Sequence, residues 1–298
     1  MRKQFSKSVT ELADRDDKAI MLIGDISHYL LKDLEAKHPN RFYNLGICEQ
    51  SLIGMASGMA LSGMRPIVHT IAPFCVERAF EQIKIDLCYQ KTDVTIISVG
   101  SSFDYAHLGC THHCYEDVSI LRSLPNMQIF VPGNSKEFDT LLKQTWGNGS
   151  PKYFKLSNKE HRFDFDIKPF EHHVVNSGKS DKIIFVNGHL LDETMEAADE
   201  QTTVVYVPTL SSLKEECNLE ISKLVENKQA YIIEENSQIG GLADFVFDIC
   251  AKYDVALKAK KIGIPNEFLT NYGKPEEHRA KLGLTIEHFK KIIGSNEV

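Results

Sequence analysis

The chain alternates short runs of β-branched and apolar residues with stretches of helical periodicity. In the first half, such runs lie at residues 19–24, 66–70, 94–100, 127–132 and 152–157. Their length and composition predict buried strands, whereas Phe80, Ile83 and Leu87 recur at the spacing of one helix face. Because strands that alternate with helices form parallel sheets, the pattern predicts a mostly parallel, doubly wound α/β fold.

A polar, charged segment interrupts this pattern at residues 158–181 and indicates a domain boundary. A second series of apolar runs follows it, at residues 182–188, 202–208, 230–235 and 255–263. A length of 298 residues also suits two domains of roughly 150 residues each. We therefore expect two doubly wound α/β domains, the first over residues 1–165 and a smaller one over residues 180–298.

The composition argues against several classes of function. The chain has 34 Lys and Arg residues against 41 Asp and Glu residues, a net charge of −7, whereas nucleic-acid-binding surfaces are basic. Seven cysteines, an odd number, do not suit a disulfide framework. The sequence contains neither the apolar core of a signal peptide nor the run of roughly 18 apolar residues that spans a membrane. We expect a cytoplasmic chain that binds neither nucleic acid nor membrane.

The segment GICEQSLIGMASGMALSG, residues 46–63, places Glu49 just inside a helix rich in Gly and Ala. Alone, such an acid is interpreted as a charge that favours the positive end of a helix dipole. Followed by IAPFCVERAFEQI, residues 71–83, it resembles the pyrimidine-binding domain of thiamine-diphosphate enzymes of the transketolase type. Deoxyxylulose-phosphate synthases and the β subunits of 2-oxo acid dehydrogenases share this pattern.

The resemblance extends over essentially the whole chain. THHCYEDVSILRSLPNM, residues 111–127, is similar to the transketolase loop THQ or THH and the RSLPNM that follows it. EENSQIGGLADFV, residues 234–246, and the stretch over residues 261–285 look like the C-terminal domain of the same enzymes. The resemblance therefore identifies the chain as the C-terminal half of a transketolase, with a pyrimidine-binding domain followed by a transketolase C-terminal domain.

The resemblance implies roles in cofactor binding for five residues. Glu49 would hydrogen-bond N1′ of the aminopyrimidine, since a carboxyl group in an apolar pocket can hold or share a proton. Phe74 would form the aromatic wall of the pyrimidine, although considered alone it is a core residue. Ile71 and Glu77 occupy the other positions of that wall, and Asp25 lies in GDIS at the family's start of the pyrimidine domain.

A dense group of histidines and cysteines follows at His107, Cys110, His112, His113 and Cys114. Zinc favours such ligands, but the adjacent histidines do not have the spacing of a structural zinc site, and we expect no metal ligands in this chain. The resemblance instead implies that His112 lies beside the thiazolium as a catalytic, substrate-binding residue. His113 would be placed behind it, His107 would also contact substrate, and both His112 and His113 retain the alternative of buried core histidines.

Three positions depart from the family pattern. Leu108 stands where transketolases place an aspartate that contacts a substrate hydroxyl, and Gly100 stands at an upstream substrate histidine. Asn158 occupies the place of an arginine that binds the sugar phosphate, with only Lys155 and Lys159 nearby. Lys is a point charge and cannot replace the bidentate grip of Arg. An altered sugar is expected, whether nucleotide-linked, non-phosphorylated or otherwise modified.

No GDG motif, which the family uses to bind the diphosphate through Mg²⁺, occurs in the 298 residues. We therefore expect a split, α₂β₂ transketolase in which an N-terminal diphosphate-binding subunit supplies this site and its Mg²⁺ or Ca²⁺. Such an enzyme shares thiamine diphosphate between subunits and transfers a two-carbon ketol unit from a ketose to an aldose. The alternatives are the β subunit of a 2-oxo acid dehydrogenase, a deoxyxylulose-phosphate-synthase-like enzyme, and an inactive regulatory homologue.

Overall fold

The computed structural model describes residues 1–294, in which a six-stranded sheet precedes a five-stranded sheet. The strands of the first sheet are β1 (Ala19–Ile23), β2 (Phe42–Asn44), β3 (Arg65–Ile71), β4 (Thr95–Val99), β5 (Gln128–Phe130) and β6 (Lys152–Lys155). Their order is β2-β1-β3-β4-β6-β5, and every pair is parallel. The predicted doubly wound α/β fold is confirmed for this sheet.

Helices cover both faces of this sheet. They are α1 (Arg2–Arg15), α2 (Lys32–Lys37), α3 (Glu49–Leu61), α4 (Ala72–Val76), α5 (Phe80–Gln82), a π-helical segment (Ile83–Tyr89), α6 (Asp117–Arg122) and α7 (Ser135–Thr145). Alternate residues along a strand point to opposite faces, so Met21 packs in the cluster with α1 and α7, whereas Leu22 packs in the cluster with α3 and α6. Burial on both faces explains why these strands are continuous apolar runs.

The second sheet comprises β7 (His173–Asn176), β8 (Lys182–Val186), β9 (Thr203–Tyr206), β10 (Gln229–Ser237) and β11 (Lys258–Ile264). The order is β11-β10-β8-β9-β7, and only β7 is antiparallel to its neighbour. Its helices are α8 (Leu191–Ala197), α9 (Glu215–Leu224), α10 (Leu242–Lys252), α11 (Pro275–Lys281) and α12 (Ile286–Gly294). Within residues 1–294, no helix of either domain has the length and hydropathy needed to cross a membrane.

Two strands have no counterpart in the predicted pattern. β2 has only three residues, of which two are exposed, and β7 has four half-buried residues, so neither forms an apolar run. β7 also lies inside the polar segment, before residue 180, and pairs with β9 as an edge strand. Short edge strands are selected by their neighbours in the sheet, and a local sequence pattern does not reveal them.

Backbone and side-chain hydrogen bonds join the two sheets. Val131 N–H donates to the Pro208 carbonyl over 2.8 Å, and Leu210 N–H donates to the Ile129 carbonyl over 2.9 Å. Arg122, from the RSLPNM segment, donates to the carbonyl of Gly240 over 2.8 Å and to that of the adjacent glycine over 2.9 Å. Two segments that carried the family resemblance therefore hold the sheets together.

Candidate active site

The candidate residues gather at the carboxyl edge of the six-stranded sheet. Asp25 follows β1, Ile71 ends β3, Gly100 follows β4 and Asn158 lies shortly after β6. The strand order reverses between β1 and β3, and in open parallel sheets this reversal opens a crevice at the carboxyl ends of the strands. The topology therefore brings together side chains that are distant in the sequence.

Glu49 is the first residue of α3 and is 1% exposed. Its Oε2 atom accepts a hydrogen bond from Nη1 of Arg78 over 2.8 Å, and the positive end of the helix dipole favours the same negative charge. Burial, assisted by the charge of Glu49, raises the pKa of the neighbouring Cys75 thiol to about 12. The carboxylate thus lies in a largely apolar environment with one cationic partner.

Phe74 links the Glu49 region to the histidine loop, the segment that carries His107, His112 and His113. The Arg78 guanidinium lies 4.4 Å from the centre of the Phe74 ring, at a distance that permits a cation–π interaction. The Phe74 ring also meets the His112 ring edge-on at 5.2 Å. The structure therefore brings Glu49, Phe74 and His112 into one group through Arg78.

His112 is half-buried, and its Nδ1 atom lies 3.0 Å from the Thr111 hydroxyl. Partial burial and the nearby charge of His107 lower the pKa of His112 below its usual value of 6.5. A neutral imidazole at pH 7 can both donate and accept a hydrogen bond. His107 itself is exposed and lies beside Tyr105, with ring centres 6.3 Å apart.

His113 has different neighbours from His112. Its ring is buried and meets His278 of α11 edge-on at 5.2 Å, so it packs against a helix of the second domain. Cys114 is also buried and donates to the Glu77 carboxyl group. Within residues 1–294, no three His, Cys, Asp or Glu side chains are arranged to hold a metal ion.

Glu77 and Asp25 make contacts of their own at the edges of this group. Oε1 of Glu77 lies 3.6 Å from the Cys114 sulfur, and burial together with the charge of Glu116 raises the pKa of Glu77 to about 7. Asp25 has a left-handed backbone with φ of 55° and accepts a hydrogen bond from the Asn44 amide over 3.0 Å. Both carboxyl groups thus have protein partners in this chain.

Asn158 has an exposed side chain, and its backbone N–H donates to Oδ2 of Asp104 over 2.9 Å. The lysines on either side have other partners. Lys155 is buried and donates to Asp117 over 2.8 Å, and the ammonium of Lys159 pairs with Glu193. Both lysines therefore have acidic partners within this chain.

Two arginines at this edge were missed from the sequence. Arg78 lies in the turn after α4, four residues after Phe74, and this short separation in the sequence offered a usable signal. Arg2 gave no such signal, because α1 is remote in sequence from the histidine loop. Its guanidinium donates to the Ser27 hydroxyl over 2.8 Å, and its charge acts on the Tyr105 hydroxyl.

Comparisons with known proteins identify the family of this chain. The family described as transketolase, pyrimidine binding domain, matches residues 1–162. One of the subunits of the apulose-4-phosphate transketolase from Actinobacillus succinogenes is 30% identical over 235 residues, which cover 76% of this chain and 75% of that protein. The 1-deoxy-D-xylulose-5-phosphate synthase of Lawsonia intracellularis is 29% identical over 97% of this chain, which spans only 47% of that enzyme.

Solved structures lead to the same family. A split-gene transketolase, solved as an inactive β4 tetramer, superposes with a TM-score of 0.86 and 28% identity, covering 98% of this chain and 96% of that one. The match extends over both sheets, so it includes the transketolase C-terminal domain as well as the pyrimidine-binding domain. Together with the family match over residues 1–162, it shows that the chain belongs to the transketolase family and corresponds to its C-terminal half.

Proposed function

We propose that this chain is the C-terminal subunit of a split, thiamine-diphosphate-dependent transketolase. The observation that carries the proposal is the buried Glu49 carboxylate at the start of α3, which Arg78 links to Phe74 and His112. In the reaction, the bond between C2 and C3 of a ketose breaks and a bond to the aldehyde carbon of an aldose forms. The donor leaves as an aldose two carbons shorter, and the proton of its C3 hydroxyl is balanced by one taken up at the acceptor oxygen.

The residues present fit a thiamine pyrimidine. Glu49 offers a buried carboxylate to the ring nitrogen, and Phe74 and Ile71 offer apolar surface to the ring faces. When bound, thiamine diphosphate supplies an electron sink for carbon–carbon bond cleavage. Glu49, whose Oε2 atom accepts a hydrogen bond from Arg78, would hold a proton at N1′.

His112 is the candidate for proton transfer at the substrate. Its lowered pKa keeps the imidazole neutral at pH 7, so it can accept a proton from a substrate hydroxyl and donate one to a carbonyl oxygen. The His112 ring meets the Phe74 ring edge-on, with 5.2 Å between the ring centres. His107, which is exposed on the same loop, is proposed as a second contact to substrate oxygens.

A separate N-terminal chain completes the proposed site. No GDG occurs in this chain, one relative is a subunit of an apulose-4-phosphate transketolase, and another is a split-gene transketolase that was inactive as a β4 tetramer. We propose that the N-terminal chain holds the diphosphate together with Mg²⁺ or Ca²⁺ in an α₂β₂ assembly with two-fold symmetry. The seven free cysteines suit the reducing cytoplasm as its location.

Isothermal titration calorimetry tests the shared site. The isolated chain should show no tight binding of thiamine diphosphate with Mg²⁺, whereas its mixture with a GDG-containing subunit encoded nearby should bind both and transfer two-carbon units. The same mixture with Glu49→Gln serves as the control for binding at the pyrimidine. Tight binding by the isolated chain would contradict the shared site.

A deoxyxylulose-phosphate-synthase-like activity is the second candidate, because that enzyme is 29% identical over nearly the whole chain. The β subunit of a 2-oxo acid dehydrogenase and an inactive regulatory homologue remain as alternatives. The substrate distinguishes these candidates. Pyruvate would support the synthase or dehydrogenase reaction, and a ketose donor would support the transketolase reaction. A regulatory chain would support neither reaction.

A further inference from the structure

The histidine loop is closed at its base by two backbone hydrogen bonds. Ser102 N–H donates to the Cys114 carbonyl over 3.0 Å, and Cys114 N–H donates to the Ser102 carbonyl over 2.7 Å. His107, His112 and His113 all lie between these two residues in the sequence. Loops whose ends meet in this way are compact and are packed by their own side chains. The position of His112 therefore depends on what fixes the base of the loop and what supports its interior.

The base of the loop is attached to the second domain. The Ser102 hydroxyl donates to the Glu235 carbonyl. Ser237 N–H donates to the Tyr115 carbonyl over 2.8 Å, and both Glu235 and Ser237 belong to the carboxyl end of β10. The Tyr115 hydroxyl donates to the carbonyl of Glu267, in the segment after β11, over 3.1 Å. These hydrogen bonds hold the loop base against the five-stranded sheet and the segment that follows it.

His278, in α11 of the second domain, supports the interior of the loop. Its side chain is fully buried. Its ring centre lies 5.4 Å from that of Phe103, near the start of the loop, and 5.2 Å from that of His113, near its end. Phe103 and His113 are themselves buried. A single side chain of the second domain thus packs against both ends of the loop, and one of its contacts is the residue next to His112.

The second domain also contacts the middle of the loop. A Cβ atom placed on Gly109, whose φ is +77°, would lie 2.7 Å from Cε1 of Tyr272, in the segment before α11. The absence of a side chain at Gly109 therefore lets the Tyr272 ring approach the backbone closely. The Gly109 carbonyl accepts a hydrogen bond from His112 N–H over 2.9 Å. Tyr272 thus contacts the turn that carries His112.

His278 supports the loop by packing and not by hydrogen bonding. Neither of its ring nitrogens has a hydrogen-bond partner among residues 1–294. Burial lowers the pKa of His278 and that of His113 below the usual value of 6.5, so both rings are neutral at pH 7 and do not repel each other. A hydrocarbon side chain of similar size can therefore replace the His278 ring without breaking a hydrogen bond.

We propose that the second domain positions His112 by holding the histidine loop, and that His278 is the main positioning residue. The inference rests on the proposed two-carbon transfer, in which His112 exchanges protons with substrate oxygens, and it gives the second domain a part in that site. His278 acts through its contacts with Phe103 and His113, since its own side chain is buried and out of reach of substrate.

Hydrogen exchange followed by mass spectrometry tests the hold on the loop in the full chain without its partner. His278→Ala leaves a cavity behind the loop, so the loop amides should exchange about tenfold faster or more than in wild type. His278→Leu keeps most of the side-chain volume and should retain the protection. His172→Ala is the matched control, because it removes a buried side chain that pairs with Glu220 of the second domain and should leave the loop amides unchanged. Unchanged loop exchange in His278→Ala would overturn the proposal.

Kinetics of the complex with the diphosphate-binding subunit test the effect on His112. The assay follows transfer from hydroxypyruvate to D-glyceraldehyde or its 3-phosphate, whichever the wild type uses. The donor loses its carboxylate as CO₂, its remaining two carbons bond to the acceptor aldehyde carbon, and the acceptor oxygen takes up a proton. His278→Ala should lower kcat about tenfold to a hundredfold, because a catalytic group displaced by about 1 Å costs up to such a factor. His278→Leu should restore kcat.

Calorimetry of the same complexes separates positioning from a general loss of structure. The dissociation constant of thiamine diphosphate should be unchanged in His278→Ala, because Glu49 lies outside the loop. Faster loop exchange with an unchanged kcat, or a kcat lowered as much in His172→Ala, would overturn the positioning role. Failure of the wild-type complex to transfer two-carbon units would overturn the proposed function instead, and the exchange experiment would still decide whether His278 holds the loop.

Tyr115→Phe provides a second variant in case His278→Ala does not fold. It removes only the hydrogen bond between the Tyr115 hydroxyl and the Glu267 carbonyl at the loop base. Loop exchange should become faster and kcat should fall, each by about threefold to tenfold, the usual effect of one neutral hydrogen bond. No change in either quantity would overturn the hold of the second domain on the loop.

Discussion

Two buried carboxylates in this molecule are paired with arginines, but the two arginines differ in exposure. Glu49 pairs with Arg78, whose side chain is 40% exposed, whereas Glu235 of β10 pairs with Arg279 of α11, whose side chain is 6% exposed. A pair with one partner in solvent can separate at small cost, whereas a fully buried pair cannot. The first arrangement suits a site that must accept a ligand, and the second ties α11 to β10 within the second domain.

Glu235 has a second basic side chain beside it, in addition to Arg279. Arg279 donates to both carboxylate oxygens, over 2.5 and 3.2 Å, and the His189 ring lies 3.2 Å from the same carboxylate. These charges hold the pKa of Glu235 well below its usual range despite burial. Asp104, from the first sheet, is buried close by, and this cluster therefore joins residues of both sheets.

The largest effect is expected at Glu49. Glu49→Gln removes the group that holds a proton at the proposed cofactor, so turnover in the reconstituted complex should fall by about 10²–10⁴-fold while assembly is retained. Steady-state kinetics and size-exclusion chromatography measure both. Glu226→Gln, at an exposed glutamate of the second domain, is the control. Undiminished activity in Glu49→Gln would remove this residue from the mechanism.

Arg279→Met should destabilise the chain by about 3–5 kcal/mol, because it leaves the buried Glu235 charge without its main partner. Urea unfolding measures the change in free energy. Lys252→Met breaks the exposed pair with Glu215 and should leave the free energy of unfolding nearly unchanged. Equal losses of unfolding free energy in the two variants would show that burial does not determine how much each ion pair stabilises the fold.

Asp104 should give stability a pH dependence. Burial and the charge of Glu235 raise the pKa of Asp104 from 3.8 to about 6, so the folded state favours the protonated form. The stabilisation that this form confers is present below pH 4 and is lost as pH rises through 6, a change of up to about 3 kcal/mol. Asp104→Asn should therefore gain stability relative to wild type between pH 4 and pH 7.

Urea unfolding of both proteins at several pH values checks this expectation. Asp254→Asn, at an exposed aspartate whose positive φ also suits asparagine, is the control. Its stability relative to wild type should not change with pH. If the stability of Asp104→Asn relative to wild type instead fell as pH rose, the folded state would favour the charged form of Asp104, and the prediction would be wrong.

The smallest effect is expected at Arg78. Arg78→Gln removes the half-exposed partner of Glu49 and should change the free energy of unfolding by less than about 1 kcal/mol. Arg78→Lys, which keeps the charge, is the matched variant, and both are measured by urea unfolding. A loss as large as that in Arg279→Met would place Arg78 among the residues that hold the fold, and the contrast between the two regions would disappear.

The apolar runs alone predicted that the sheets are mostly parallel, because strands buried on both faces must be apolar throughout. They missed β2 and β7, whose short, partly exposed backbones are placed by neighbouring strands. The family resemblance, resting on GICEQ and on THH followed by RSLPNM, predicted the family and the C-terminal half, and the comparisons confirmed both. The roles of Glu49, Phe74 and His112 remain predictions that these experiments address.

The sequence by itself determined the alternation of strands and helices and the chemical identity of the acid, aromatic and histidine candidates. Only the tertiary structure decided which of them meet, since Glu49, Phe74 and His112 become neighbours where separate strands end at one sheet edge. It also placed Arg78 against Glu49 and the Tyr105 ring over Gly100. Such contacts depend on side-chain packing between segments remote in sequence, and local periodicity carries no information about them.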